Sequence, residues 1–418
     1  LVTVMRDKQR YFALEDASGK LMPYFIAVRN GDDQHLDKVT DGNEQVLRAR
    51  FSDANYFFTQ DTQKKLADFL PRLGTLTFQE KLGSMLDKNN RVAALVKPVG
   101  ERLGAESADV ETAAAAARVL KADLATQMVI EMTSLQGTMG REYALLSGYP
   151  KGVANAIYEH WLPRGSGDAL PESQAGMLLA ITDRLDSLVG LFAAGLAPRS
   201  NADPYGLRRA ALGVIQILVA RQIDVDVSNA EDGGLLGSVA QQQPLDVSQE
   251  SVREVAAFID GRLKAWIEEQ DYPADVIAAA HSGAASLNPY RFLLNLGELA
   301  AWVKEDRWQQ ILEGFARCVR ITRAEAEQYP IDEQLLSEPS EIRLYDAYRH
   351  AMSQMDDTRS VDTFLTAFEP MLPAVTDFFD TVLVNTEDQT VRKNRLGLLQ
   401  AISAMQNGSA DLSQLVGF

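Results

Sequence analysis

Cysteine is nearly absent: Cys318 stands alone among 418 residues, which excludes an internal disulfide framework and cysteine-based zinc sites. Histidine is scarce as well, and His35, His160, His281 and His350 are too scattered to form a dense imidazole cluster in sequence. The mostly apolar, uncharged stretch 210–220 is interrupted by Gln216 and bracketed by Arg209 and Arg221. A membrane span needs roughly 20 residues, so this run is too short. Basic charge is in deficit, with 41 Lys and Arg against 58 Asp and Glu, a net of −17. Taken whole, that balance argues against a protein coated with basic surface for DNA or RNA. Also missing are a Gly-rich loop followed by Lys-Ser/Thr, a Gly-x-Ser-x-Gly elbow and a Cys/His nucleophile pair. The chain opens Leu1-Val-Thr-Val4, without an initiator Met or a signal-peptide layout, and is expected to start inside a longer polypeptide.

What is present is a globular composition, 46% hydrophobic and 24% charged. At roughly 150 residues per domain, the length predicts two or three domains. The acidity is uneven. Residues 1–200 carry 23 basic and 25 acidic side chains, whereas 201–418 carry 18 and 33. The first 30 residues read as strands and turns: Val2-Thr-Val-Met5 and Tyr24-Phe-Ile-Ala-Val-Arg29 are β-prone, and Asp16-Ala-Ser-Gly19 suits a hairpin turn. After Gly42 the period changes. Leu47, Phe51, Ala54 and Phe58 form a helical stripe, with cap chemistry at Asp41 to Asn43. Helical patterns then dominate at 111–132, 174–193, 207–221, 251–269, 293–318, 342–355 and 394–405. Breaks fall at 228–244, with Gly233, Gly234 and Gly237, and at 328–340; the first is the better domain boundary. The architecture expected is mainly α and multi-domain, with a short strand-containing N-terminal segment.

Three constellations could carry chemistry. Glu159-His-Trp-Leu-Pro-Arg164 and Ile181-Thr-Asp-Arg-Leu-Asp186 could bring a neutral imidazole and a carboxylate together as ligands for a hydrolytic metal. The competing account has His160 bonded within a helical core and Asp183 and Asp186 on a salt-bridged face; spacing alone favours it. Arg317, Arg320 and Arg323 recur at i, i+3, i+6 and could reach successive phosphates. Arg392, Lys393 and Arg395 form a second basic group before a helix. Solvated faces paired with neighbouring Glu and Asp explain both groups equally well. Arg208-Arg209, after the helix start Asp203-Pro204, reads as a pin to a carboxylate.

Longer stretches carry a family likeness. They include Met5-Arg-Asp-Lys-Gln-Arg-Tyr-Phe12, Phe25-Ile-Ala-Val-Arg-Asn-Gly31, Leu36-Asp-Lys-Val39, Gly42-Asn-Glu-Gln-Val-Leu-Arg-Ala-Arg50 and Phe78-Gln-Glu-Lys-Leu-Gly83. Lys121-Ala-Asp-Leu-Ala-Thr-Gln-Met-Val129, Leu135-Gln-Gly-Thr-Met-Gly-Arg141 and Glu159-His-Trp-Leu-Pro-Arg164 follow. Asp203-Pro-Tyr-Gly-Leu-Arg-Arg-Ala-Ala-Leu-Gly213, Phe378-Phe-Asp-Thr-Val-Leu-Val384 and Asn394-Arg-Leu396 complete the order. Together they resemble the C-terminal part of the beta subunit of bacterial-type heterotetrameric glycyl-tRNA synthetase.

That resemblance implies a tRNA-binding subunit of a glycine-tRNA ligase. Glycine, ATP and Mg²⁺ would bind in an alpha subunit, in an alpha2beta2 assembly acting on tRNA-Gly. This chain would contain neither an active site nor a cofactor of its own, and neither DNA nor a membrane would be a partner. The implied compartment is the bacterial cytoplasm, or an organellar stroma or matrix. It also implies domains: 1–45 as the remnant of a preceding α/β domain, 46–230 as HD-like, 231–250 as linker, and 251–418 as helical and anticodon-binding-like. HD hydrolases use a leading His, a His-Asp pair and a later Asp around a divalent metal. Here Gln79 stands near the leading His, Ala122-Asp123 near the pair, Asp183 at the close, and His160 where some members carry an extra His. Losing two imidazoles makes the site degenerate. The phosphate contacts implied are Arg317, Arg320, Arg323, Arg392, Lys393 and Arg395. The rival readings are a working HD-type metal phosphohydrolase and a non-enzymatic acidic helical scaffold.

Overall fold

The computed structural model describes residues 2, 5–200, 202–228, 234–283, 287–356 and 359–418. Helix dominates among them, accompanied by two short two-stranded sheets. None of the described helices is long and apolar enough to cross a membrane. The chain forms two compact units, 1–186 with 242–245, and 187–241 with 246–418. The division thus falls inside the helix at 174–193. Of the expected linker 231–250, residues 242–245 join the first unit, while 231–233 lie outside the described residues.

The first unit opens with a hairpin of β1 (Phe12–Glu15) and β2 (Leu21–Ile26), pairing Phe12 with Ile26 and Glu15 with Leu21. Asp16 builds the turn by accepting the backbone N–H groups of Ser18 at 2.9 Å and Lys20 at 3.0 Å, with Gly19 at φ +79°. Neither described residue of the β-prone run 2–5 lies in a strand. Met5–Gln9 coils into a wide helical turn, and Thr3 and Val4 lie outside the described residues. Helix α1 (Leu36–Asp61) also starts earlier than its pattern suggests. Asp41 and Asn43 sit within it as side-chain acceptors, for Gln45 at 2.7 Å and the Tyr11 hydroxyl at 2.9 Å, rather than as caps. Of the predicted stripe only Leu47 is fully buried. The far end is pinned by Asp61, whose buried carboxylate accepts from the Gln127 and Met128 N–H groups, each at 2.9 Å, and from the Tyr143 hydroxyl at 3.0 Å.

After β3 (Thr77–Gln79) and β4 (Gly83–Ser84), a reciprocal Ser84–Asp87 capping box starts α2 (Met85–Arg102). Its Val92, Leu95, Val96 and Val99 are fully buried. It packs on α3 (Ser107–Ala117), where Ala113, Ala116 and Ala117 permit close approach. The single helix expected over 111–132 is broken. Lys121 adopts φ +60°, a left-handed conformation unfavourable for a residue with a Cβ, followed by a tight turn at Ala122–Ala125 and then α4 (Gln127–Glu131). Next come α5 (Thr138–Leu146), α6 (Lys151–Glu159) and α7 (Gln174–Ala193), the last with the predicted bounds.

In the second unit Asp203 starts α8 (Leu207–Ala220), accepting from the N–H groups of Leu207 at 2.8 Å and Arg208 at 2.9 Å. Arg208 donates to the Ser200 carbonyl, so its pin is to backbone instead of the carboxylate expected. Helices α9 (Leu235–Ala240), α10 (Gln249–Glu268) and α11 (Ala274–Gly283) follow. The pattern at 293–318 merges two helices, α12 (Pro289–Trp302) and α13 (Trp308–Thr322), separated by a charged turn. Helices α14 (Pro339–Gln354), α15 (Val361–Phe368), α16 (Leu372–Thr381) and α17 (Gln389–Ser403) close the unit. Phe315 meets Phe364 and Phe368 edge-on, each 5.2 Å between ring centroids, at its core. Cys318, on the same helix as Phe315, is buried, and burial pushes its thiol up to about 12.

Candidate functional site

A cluster of charged side chains lies buried in the first unit. Lys88 and Arg91 occupy one face of α2, with Val92 and Leu95 below them. Asp183, Arg184 and Asp186 lie on α7, and His160 ends α6. Lys121 enters from its left-handed turn. Its ammonium is 2.9 Å from Asp183 Oδ2, 3.3 Å from His160 Nε2 and 4.3 Å from the Trp161 ring centroid. The Lys88 ammonium is 3.1 Å from Asp183 Oδ1, 3.0 Å from Asp186 Oδ2 and 3.0 Å from the Asp183 carbonyl oxygen. Asp186, fully buried, also takes a bidentate contact from Arg91 at 2.9 and 3.3 Å and a bond from Gln243 at 3.0 Å. Arg184 donates to the carbonyls of His160, Ala180, Trp161 and Pro163, tying α7 to the turn after α6.

The electrostatics follow from this packing. Burial alone would raise the Asp183 carboxyl, but Lys121 and Lys88 outweigh it and hold Asp183 well below the usual carboxylate range. Burial lowers Lys121, which has one carboxylate partner and faces the charges of Lys88 and Arg184. For Lys88 the two carboxylates overcome burial and the shift is upward. His160 is neutral: burial first, then the Lys121 charge, push its pKa far down. Its Nδ1–H donates to the Ile157 carbonyl, so Nε2 is left to accept from Lys121. An unfolded chain takes up a proton on this imidazole near pH 6.5, whereas the folded chain does not. Stability is thus lost as pH falls below about 6.5, by up to ~1.4 kcal/mol per pH unit from this group. A His160→Asn variant should lose that portion of the slope between about pH 6.5 and 5 in equilibrium unfolding; an unchanged slope would contradict the neutral assignment.

The degenerate-site positions do not all converge. His160 and Asp183 meet, through Lys121. Gln79 instead organises its own turn, its Oε1 accepting from the N–H groups of Lys81 at 2.7 Å and Leu82 at 3.2 Å. Asp123 is buried and faces the start of α5, accepting from Gly137 at 2.6 Å and Gly140 at 3.1 Å. The donors do not suit a divalent ion: no group of three or more His, Cys, Asp or Glu converges among the described residues. The Lys121 ammonium already contacts both candidate ligands, Asp183 Oδ2 at 2.9 Å and His160 Nε2 at 3.3 Å. Lys88 and Arg91 were not singled out from sequence, although a signal existed. Lys88 shares the apolar stripe of Val92, Leu95 and Val99, and a cation there requires a buried carboxylate. For Lys121, 62 positions from Asp183, no sequence signal existed.

The basic groups of the second unit differ in availability. Arg320 and Arg323 are exposed at the end of α13. Arg317 is half-buried, 3.6 Å from Asp380 and stacked at 4.5 Å over the Phe379 ring. Arg392, Lys393 and Arg395 lie inside the first turns of α17, not before a helix. Arg392 is paired with Glu325, and Lys393 lies 3.8 Å from Glu327. Arg395 is buried, bound to Glu341 and to the Leu383 carbonyl at 2.9 Å, so it presents no free face to a phosphate.

Residues 1–282 match the model of the family described as glycyl-tRNA synthetase beta subunit. The chain belongs to this family. It is similar throughout to the glycine-tRNA ligase beta subunits of Clostridioides difficile, 37% identical over 421 residues, and Moorella thermoacetica, 38% over 423. All of the chain, and 60% of each relative, is covered. It is likewise 38% identical over 420 residues to glycine-tRNA ligase, chloroplastic/mitochondrial 2, of Arabidopsis thaliana, covering 39% of that protein. This beta-subunit-family chain therefore spans about 60% of the bacterial relatives' length.

Proposed function

We propose that the chain is the tRNA-handling part of a glycine-tRNA ligase beta subunit. The observation that carries this reading is the match over the whole chain to relatives bearing that name. Catalysis then belongs to an alpha subunit holding glycine, ATP and Mg²⁺ in an alpha2beta2 enzyme, while this chain contributes tRNA-Gly contacts without a cofactor. In this reading 46–230 is the HD-like region and 251–418 the anticodon-binding-like region, with Arg320 and Arg323 as the leading phosphate contacts and Arg317 and Lys393 beside them. The setting is the bacterial cytoplasm or an organelle, consistent with relatives of both kinds. The buried cluster favours this reading over a metal phosphohydrolase, because ammonium groups already pair with the carboxylates that a hydrolytic ion would need.

The test is reconstitution. A full beta subunit containing this chain, combined with its alpha subunit, glycine, ATP and Mg²⁺, is expected to glycylate tRNA-Gly. Omitting the beta subunit should reduce the rate at least about a hundredfold, a loss of ~2.7 kcal/mol in transition-state stabilisation. Equal rates with and without it would overturn the reading.

A further inference from the structure

The open face of α6 carries a basic group separate from those in the second half of the chain. Lys151, Asn155 and Tyr158 recur there at i, i+4 and i+7, while Val153, Ala154, Ala156 and Ile157 are buried beneath. Two arginines converge on the Tyr158 ring. The guanidinium carbon of Arg141, from α5, is 5.1 Å from the ring centroid, and that of Arg164, from the turn after α6, is 5.4 Å away. Each arginine stands on a fixed base. Asp123 accepts the N–H groups of Gly137 and Gly140 and so anchors the start of α5. Arg184 binds the carbonyls of Trp161 and Pro163, and the Asp168 carboxylate accepts the Arg164 N–H at 2.8 Å. Counter-charges are few. Arg141 bonds one oxygen of the adjacent Glu142, at 2.9 and 3.1 Å. Among the described residues, no carboxylate pairs with the Arg164 guanidinium or the Lys151 ammonium, and both side chains are exposed.

We propose that Arg141, Arg164 and Lys151, with Tyr158 holding the two arginines, form a contact site for the sugar–phosphate backbone of an RNA strand. The proposal rests on the tRNA-handling reading above and adds a contact in the first unit to the arginines of the second. Gathering two guanidiniums on one ring brings like charges together, a cost that a polyanion lying across them removes. Because the ring already holds both planar forks, less rotamer freedom is lost when each grips a phosphate. Lys151 extends the row, seven residues or about 10 Å along α6 from Tyr158. A row of that length suits the repeated charges of a nucleic-acid strand better than a single anion. Contacts of this kind position RNA without reading its sequence, so the site should serve tRNA-Gly and an unrelated tRNA alike.

The experiment uses the full beta subunit containing this chain, as wild type, as Arg141→Ala/Arg164→Ala, and as Lys97→Ala/Arg102→Ala. The last removes the same charge from exposed positions of α2. Binding of tRNA-Gly and of an unrelated tRNA is measured across salt concentrations, with thermal unfolding of each protein alongside. The Arg141/Arg164 variant is expected to weaken both RNAs about tenfold and to lower the salt slope by about two ion equivalents, with Tm unchanged. The Lys97/Arg102 control should change affinity by less than about twofold. With both arginines in place, Tyr158→Leu should weaken binding about threefold, whereas Tyr158→Phe, which keeps the ring, should bind as the wild type does. An Arg141/Arg164 variant with wild-type affinity and salt slope would overturn the proposal, as would a loss no larger than that of the control. Should that variant unfold, the wild type decides: ultraviolet cross-linking to tRNA-Gly is expected to mark peptides within 141–164, and cross-links confined to other regions would refute the site. Polyglutamate that displaces the RNA at equal charge concentration would assign the site to an acidic protein instead. Failure of the underlying reading is separately visible. A wild type that binds neither tRNA at low salt refutes both, whereas wild-type binding with an unaffected Arg141/Arg164 variant refutes this site alone.

Discussion

Asp186→Asn is expected to lower the stability of the first unit by about 3–5 kcal/mol, the cost typical of removing one partner from a buried ion pair. Asp186 is fully buried and accepts from Lys88, from Nε and Nη2 on one edge of the Arg91 guanidinium and from Gln243. Asparagine retains the shape but not the charge. Lys88 would be left with Asp183, and Arg91 with the Leu82 carbonyl at 2.9 Å. Both cations are nearly inaccessible, with side-chain exposures of 3% and 10%, so water cannot compensate. Urea unfolding followed by a probe in 1–186 measures the effect, and a loss below about 1 kcal/mol would contradict it. Replacing Asp186, Lys88 and Arg91 together by apolar residues of similar volume should recover much of the loss, since the cost comes chiefly from stranded charge.

The second large effect is on RNA binding. Replacing Arg317, Arg320 and Arg323 together with Ala should weaken tRNA-Gly binding about tenfold or more and flatten its salt dependence by about two to three ion equivalents. Arg320 and Arg323 should contribute most: Arg317 is already paired with the Asp380 carboxylate and stacked on the Phe379 ring, whereas Arg320 lies 5.5 Å from the Phe418 ring centroid but stays exposed. Arg395→Ala, by contrast, should act through stability: its buried guanidinium balances Glu341, which also accepts the N–H groups of Ser337 at 2.9 Å and Glu338 at 3.1 Å.

The sequence made some elements readable and hid others for definable reasons. The apolar run at 174–193 carries its helix alone, and its predicted bounds match. Periodicity cannot register a one-residue backbone reversal, so 111–132 reads as continuous although Lys121 turns left-handed within it. The same limitation joins α12 to α13 across the turn between Trp302 and Trp308. His160 and Asp183 were legible as a pair; the lysine between them was not, because their association joins residues 39 and 62 positions apart. Arg392, Lys393 and Arg395 look alike as neighbours in sequence, but the turn of α17 buries one and leaves another exposed. The net charge of −17 bounds general attraction to RNA without deciding the partner. Any phosphate contact in the acidic second half must come from a few local arginines.

The most direct measurement is a titration of tRNA-Gly, beside an unrelated tRNA, into the beta subunit containing this chain at low and high salt. The account predicts tighter binding of tRNA-Gly, an affinity that falls as salt rises, and a smaller salt slope for the Arg317, Arg320 and Arg323 variant. No binding of either tRNA at low salt, or equal binding of both, would contradict it.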